Sequence, residues 1–306
     1  MSPPASAFGD LLGARVAARE SQIVLGLDPD PRALWPGCEP TGGGPPAQRA
    51  AEAVARHCRA LIDAAGPACV AVKPQLARFE ALGAPGWGAL AETVGYARER
   101  GLLTIADAKR GDIDVTANAY AQALMGRTET PWGPASGLGV ELATVNPLMG
   151  ADALAPFVSA ARRCGGAVLV LVRTSNPGAA DFEDLELAAG GRLWERIAAL
   201  VDELGIDGIG AGGLSDVGAV LGATVPEHLS RARELMPSAV FLLPGVGAPG
   251  GRVEDLAPAF APARAAALIA ASRSISAAHA SVGGAPPDAA RAEAERLREL
   301  AWGISG

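Results

Sequence analysis

The chain has 306 residues, 49% hydrophobic and 19% charged, a balance that supports a sizeable core and excludes a disordered chain. Its net charge of −7 argues against broad nucleic-acid binding, yet leaves room for one anionic small molecule held by a few local cations. Only two of its 26 basic residues are Lys, Lys73 and Lys109, and the rest are Arg. Arg stays charged, whereas a Lys amine can give up a proton, so the two Lys are worth following.

In chain order, residues from about 1 to 20 read as an N-terminal helix or extension. They lack a basic segment followed by an apolar one, so no secretory signal is expected and the reading is cytoplasmic. The first strand candidate is Gln22–Leu27, followed by a Gly/Pro-rich stretch, 36–46, and a helix over Ala47–Ala65. Cys69–Lys73 and Leu102–Asp107 are the next two strands, with helices near Gly88–Arg100 and Val115–Met125. A second loop-like stretch, 126–139, leads to Val140–Val145 and a helix over Ala151–Arg163. Both stretches read as surface insertions. Ala167–Val172 is the fifth strand, before a helix near Gly191–Leu204. The sixth lies in Ile206–Ala211 or Val217–Ala223, and the second is preferred because Pro226 and a helix to Leu235 follow it closely. Ala239–Leu243, Ala266–Ala270 and a terminal helix over Ala289–Trp302 complete the pattern.

The strands are short, nearly continuous in apolar residues and separated by helices, as parallel strands buried on both faces are. Eight such units predict a single α/β domain over 1–306, a (β/α)8 TIM barrel. No apolar run approaches the ~18–20 residues of a membrane span. The four Cys form no CxxC pair and have no clustered His, so the expectation is free thiols and no metal site.

Barrel chemistry sits at the C-terminal strand ends. There the sequence places Asp28, Lys73, Asp107 with Lys109 and Asp112, Arg173-Thr174-Ser175-Asn176, the glycine loop Pro244–Gly251, and Ser272-Arg273. The glycine loop and Arg273 read together as a phosphate cradle after strands 7 and 8, since Gly lets backbone N–H groups approach an anion and an Arg fork adds charge-assisted bonds. Two G-x-G-x-x-G matches, at Gly208 and Gly245, lack the strand-before, helix-after context of a dinucleotide fold and are discounted.

The sharpest feature is Asp107-Ala108-Lys109-Arg110-Gly111-Asp112. Strand alternation points Asp107 and Lys109 to one side, where Lys73 can join them and Asp112 adds a second carboxylate. Flanking carboxylates favour the ammonium form that a general acid needs. A structural ion pair is the plainer alternative for Asp107 and Lys109, and helix capping is the role expected of Asp114.

IADAKRGDIDVTANAYA, with GLDPDP, VKPQLARFE, VNPLMG, TSNPG, VLGAT, PGVGAPGG and ASRSI in order around it, resembles the orotidine 5′-phosphate decarboxylase family in its longer bacterial branch. The resemblance spans roughly residues 20–280. It implies a barrel, a homodimer with sites at the subunit interface, and conversion of orotidine 5′-phosphate to UMP and CO2 without metal or organic cofactor. It further implies that Lys73, Asp107, Lys109 and Asp112 form a charged array, with Asp112 and Thr116 reaching the partner's site. Asp28 and Lys73 match ribose contacts, Ser175 the pyrimidine contact, and Gly247, Ser272 and Arg273 the phosphate contacts. One departure stands out: Pro249 replaces the usual Gln of the phosphate loop and offers neither an amide side chain nor an N–H. Two other readings rank lower. One is a related Mg2+-dependent sugar-phosphate barrel, which would need further carboxylates where this chain has Lys73. The other is a nucleotide-binding protein without activity.

Overall fold

Each apolar run becomes one strand of a closed, all-parallel barrel in the computed structural model, which describes residues 7–247 and 250–306. The strands are β1 (Ile23–Leu27), β2 (Ala71–Pro74), β3 (Leu103–Arg110), β4 (Leu142–Val145), β5 (Ala167–Arg173), β6 (Val217–Leu221), β7 (Phe241–Pro244) and β8 (Ala267–Ala271). Each pairs with its sequence neighbours, and β1 closes on β8 through Ile23↔Ile269 and on β2 through Val24↔Ala71. The sixth strand is the preferred Val217 segment, while Ile206–Gly208 is one 3-10 turn. Pro249 lies outside the described residues.

Strand alternation sorts the apolar residues into two cores. Val24, Ile105, Leu142, Leu169, Leu242 and Leu268 cluster inside the barrel, while Ile23, Leu25, Val72, Val168 and Ile269 pack against the helices. The helix Phe8–Arg19 sends Phe8, Leu12 and Val16 into the inner cluster. Its Asp10 accepts the N–H groups of Ala211 and Gly212 ahead of β6, so this helix closes the end where the strands begin. Burying each such side chain contributes about 1.5–3 kcal/mol.

The helices start and stop for local reasons. Pro46 and Pro286 open the helices Pro46–Ala65 and Pro286–Ile304, where the missing N–H costs nothing. Gly165, at φ 68°, ends Ala151–Cys164 in the left-handed conformation that Gly adopts without strain. No helix among the described residues is long and apolar enough to cross a membrane.

Of the two Gly/Pro-rich stretches, 126–139 folds into a small hairpin, Arg127–Thr128 against Ala135–Ser136, with Trp132 92% exposed. Most of 36–46 is exposed, but Cys38 is buried and the stretch is anchored by the preceding residue. The buried Trp35 indole donates to the Ser276 carbonyl at 2.8 Å, and its backbone N–H donates to His57 Nδ1 at 3.1 Å. Asp114 does not cap the helix Asp114–Leu124: it is the helix's first residue, at φ 49°, and the cap position is Ile113.

Candidate active site

At the C-terminal end of β3 the ladder to β4 breaks its register. Ala106 pairs with Ala143 and Arg110 with Val145, so Asp107, Ala108 and Lys109 all stand opposite Thr144. This bulge, with Lys109 in the left-handed region at φ 49°, brings the ammonium of Lys109 back onto Asp107. The expected convergence is therefore present but differently made. Simple alternation does not hold past Ala106, because β3 carries extra residues that a regular strand would not accommodate. Arg110 braces the far side, donating to the Ala108 carbonyl at 3.1 Å and pairing with Glu80.

Asp107 is the centre of the site and is 6% exposed. Its Oδ2 accepts from Lys73 Nζ at 2.5 Å and Gln75 Nε2 at 3.1 Å. Its Oδ1 accepts from Lys109 Nζ and from the Thr144 hydroxyl, the latter at 3.2 Å. Burial pushes this carboxyl up, but the two ammoniums and their hydrogen bonds outweigh burial and hold it below the usual carboxylate range. A carboxylate has about four acceptor positions, and all are engaged. Lys73 is as deeply buried as Asp107, whereas the Lys109 side chain is 45% exposed and faces the mouth of the barrel.

Three other sequence-predicted residues, Asp28, Ser272 and Arg273, meet around Lys73. Asp28, Lys73, Gly245, Ser272 and Arg273 line one cavity of about 120 Å3, with Gly26 as its floor. A Cβ on Gly26 would lie 2.6 Å from the Ser272 Cβ, so only Gly allows this approach. Asp28 Oδ1 is buried and has no hydrogen-bond partner among the described residues. Ser175 stands beside Gly245 and Gly222; its backbone carbonyl accepts from Thr224 at 3.4 Å. Arg173, just before it, is buried and clamped by Asp184 at 2.8 and 3.0 Å, which fixes the start of the Ser175 loop.

The glycine loop is tied to itself. Gly247 donates to the Gly251 carbonyl at 3.0 Å, Gly251 to the Gly245 carbonyl at 3.0 Å, and Gly250 to the Gly247 carbonyl at 2.7 Å. Those three N–H groups are thus engaged within the loop, so the phosphate contact expected of Gly247 has no free N–H, and the cations lining the cavity are Lys73 and Arg273. Asp112 and Thr116 lie apart from the array. Asp112 Oδ1 accepts the Ile113 N–H at 2.8 Å, Thr116 is exposed, and neither meets Lys73 or Lys109 among the described residues.

Two side chains that bond Asp107 escaped the sequence reading. Gln75 follows Lys73 by two residues, on the same side of an extended chain, and Thr144 is a polar residue within the apolar run of β4. Both positions are visible in the sequence, but nothing there says that they meet Asp107.

A family model described as "Orotidine 5'-phosphate decarboxylase / HUMPS family" matches residues 21–285. The orotidine 5′-phosphate decarboxylase of Deinococcus radiodurans is 40% identical over 291 residues, covering 95% of this chain and 96% of that protein. That of Haloarcula marismortui is 42% identical, covering 81% of this chain and 79% of its own. The structure of the Leishmania donovani OMP decarboxylase superimposes with a TM-score of 0.74 at 32% identity, covering 98% of this chain and 99% of that one. The chain belongs to the orotidine 5′-phosphate decarboxylase / HUMPS family.

Proposed function

We propose that the protein is a carboxy-lyase converting orotidine 5′-phosphate to uridine 5′-phosphate and CO2, without metal or organic cofactor. The observation that carries this reading is a buried carboxylate, Asp107, held between two ammoniums at the mouth of the barrel. Loss of CO2 from pyrimidine C6 leaves an electron pair on carbon with little resonance relief. Lys109, half exposed and reaching the open side of the array, stabilises that pair and then transfers its proton to C6. One C–C bond breaks, one C–H bond forms, and solvent reprotonates the Lys109 amine. Asp107 and Lys73 hold Lys109 in place before the reaction, so little reorganisation is needed as charge develops.

The nucleotide lies across the strand ends in this reading. Arg273 and Ser272 hold the phosphate beside the glycine loop, Asp28 and Lys73 the ribose hydroxyls, and Ser175 the pyrimidine. The unpartnered Asp28 Oδ1 beside the cavity suits a hydroxyl donor. Phosphate binding far from the breaking bond helps to order the site around the reacting ring.

The working unit is a homodimer in which Asp112 and Thr116 act in the partner's site. Beside these residues Ile113 (57% exposed) and Val115 (75%) are apolar and open to solvent, as are Leu148 (72%) and Phe182 (68%). Gly111 approaches the Met149 side chain, and Leu148 and Phe182 line one recess. An apolar rim beside a site is the surface a second copy would cover. A cytoplasmic location goes with this reading, because a charged nucleoside monophosphate does not cross membranes unaided.

The experiment is loss of orotate absorbance from orotidine 5′-phosphate with EDTA present. Undiminished turnover is expected; turnover that needs added Mg2+, or none at all, contradicts the reading.

A further inference from the structure

We infer that Thr144 is a positioning residue for the charged array, its hydroxyl holding the bulge that turns Lys109 onto Asp107. The inference rests on the decarboxylase reading and adds a residue to it. Thr144 is 1% exposed and lies on the neighbouring strand, opposite the three bulged residues. Its hydroxyl accepts the backbone N–H of Ala108 at 3.0 Å and that of Lys109 at 2.9 Å, and donates to Asp107 Oδ1 at 3.2 Å. A hydroxyl has one donor and two acceptor positions, and here all three are used by three consecutive residues of β3.

The geometry explains why the bulge is stable. In a regular strand successive N–H groups point to opposite neighbouring strands, so only one of Ala108 and Lys109 could donate towards β4, and the bulge turns both that way. Two successive N–H groups then point to one side, as in backbone nests that hold an anion, and the Thr144 oxygen takes the anion's place. The same hydroxyl fixes the Asp107 carboxylate through its proton. Backbone and side chain of the array are thus located by one atom. The left-handed φ of Lys109, unusual for a residue with a side chain, is held by that N–H bond. Val in this place would match the shape and make none of the three bonds. Ser would keep all three and lose only a methyl group.

Lys109 must be held in a definite position relative to the reacting carbon, and a misplacement of about 1 Å costs on the order of 100-fold in rate. Thr144→Val should therefore lower kcat by about 100-fold, while KM and UMP binding, which depend on the phosphate and ribose contacts, stay close to wild type. Thr144→Ser should recover most of kcat. Measured together are kcat and KM for orotidine 5′-phosphate, the Kd for UMP by calorimetry, and Tm. Turnover by the wild-type protein decides the decarboxylase reading separately, so an inert wild type and an unaffected T144V count against different statements. A T144V enzyme with wild-type kcat overturns the inference, as does a T144S enzyme no better than T144V. Should T144V not yield folded protein, Thr144→Cys, whose thiol is a weak donor and acceptor, replaces it. Reduced kcat with unchanged UMP affinity then supports the role, and unchanged kcat overturns it.

Discussion

Asp107→Asn keeps the size of the side chain and removes its charge, and the structure sets what that should cost. The carboxylate accepts from Lys73 and Gln75 on one oxygen and from Lys109 and Thr144 on the other. An Asn amide must point its NH2 group at one of these donor pairs, so two accepted bonds are lost whichever way it turns. The Lys73 side chain, 9% exposed, then has a buried charge without a counter-charge. Removing one partner of a buried ion pair costs about 3–5 kcal/mol. Lys109 adds little to this figure because its side chain is 45% exposed and water screens it. At about 2.1 cal/mol/K per residue, a 306-residue chain has a melting entropy near 0.6 kcal/mol/K, so Tm should fall by about 5–8 °C. Lys109→Met, which leaves Lys73 paired, should lower Tm by less than about 2 °C. Calorimetry at fixed protein concentration makes the comparison. An Asp107→Asn protein melting with or above wild type would refute the view that Asp107 is the buried anchor of the array.

Two further outcomes are expected. His57 is buried and accepts the Trp35 N–H on Nδ1, and burial pushes its pKa down to about 4. The unfolded chain, with an ordinary His pKa of about 6.5, binds the proton first, so this His destabilises the fold as pH falls from about 6.5 towards 4. Between pH 7 and 4.5 wild type should lose about 2 kcal/mol more than His57→Gln in urea titrations, and equal losses would contradict the argument. Val115→Asp places a charge on the exposed apolar rim, where the monomer's own fold is little affected. Sedimentation should show a monomer with decarboxylase activity greatly reduced, because Asp112 no longer reaches a partner's site; a dimer with full activity would contradict the proposed interface.

The barrel was legible because each of its strands is a short apolar run, and a run such as AVLVLV admits few other placements once helices separate it from the next. Strand ends were less so. β3 was expected to stop at Asp107, since polar residues begin there, yet pairing continues to Arg110 through a bulge. Period-two alternation carries no sign of a bulge, whose cause lies on another strand, in the hydroxyl of Thr144. The same limit hid Gln75 and Trp35. Each acts by a hydrogen bond to a residue far away in sequence, and local pattern does not encode such partners. The glycine loop is a different case. Its Gly content reads as freeing backbone N–H groups for an anion, and Gly245, Gly247 and Gly250 do adopt positive φ. It could not tell that the N–H groups of Gly247, Gly250 and Gly251 would close the loop on itself. Asp28, Lys73, Ser272 and Arg273 meet around one cavity because parallel strands put their C-terminal ends on one face, which the sequence order already implied.

The most direct measurement is steady-state decarboxylation of orotidine 5′-phosphate by Lys109→Ala beside wild type, with UMP affinity determined for both. Turnover by wild type, a kcat in the variant lower by at least about 1,000-fold, and UMP binding within a few-fold are the expected results. A variant that retains near-normal kcat would show that the proton does not come from Lys109, and the proposed mechanism would fall with it.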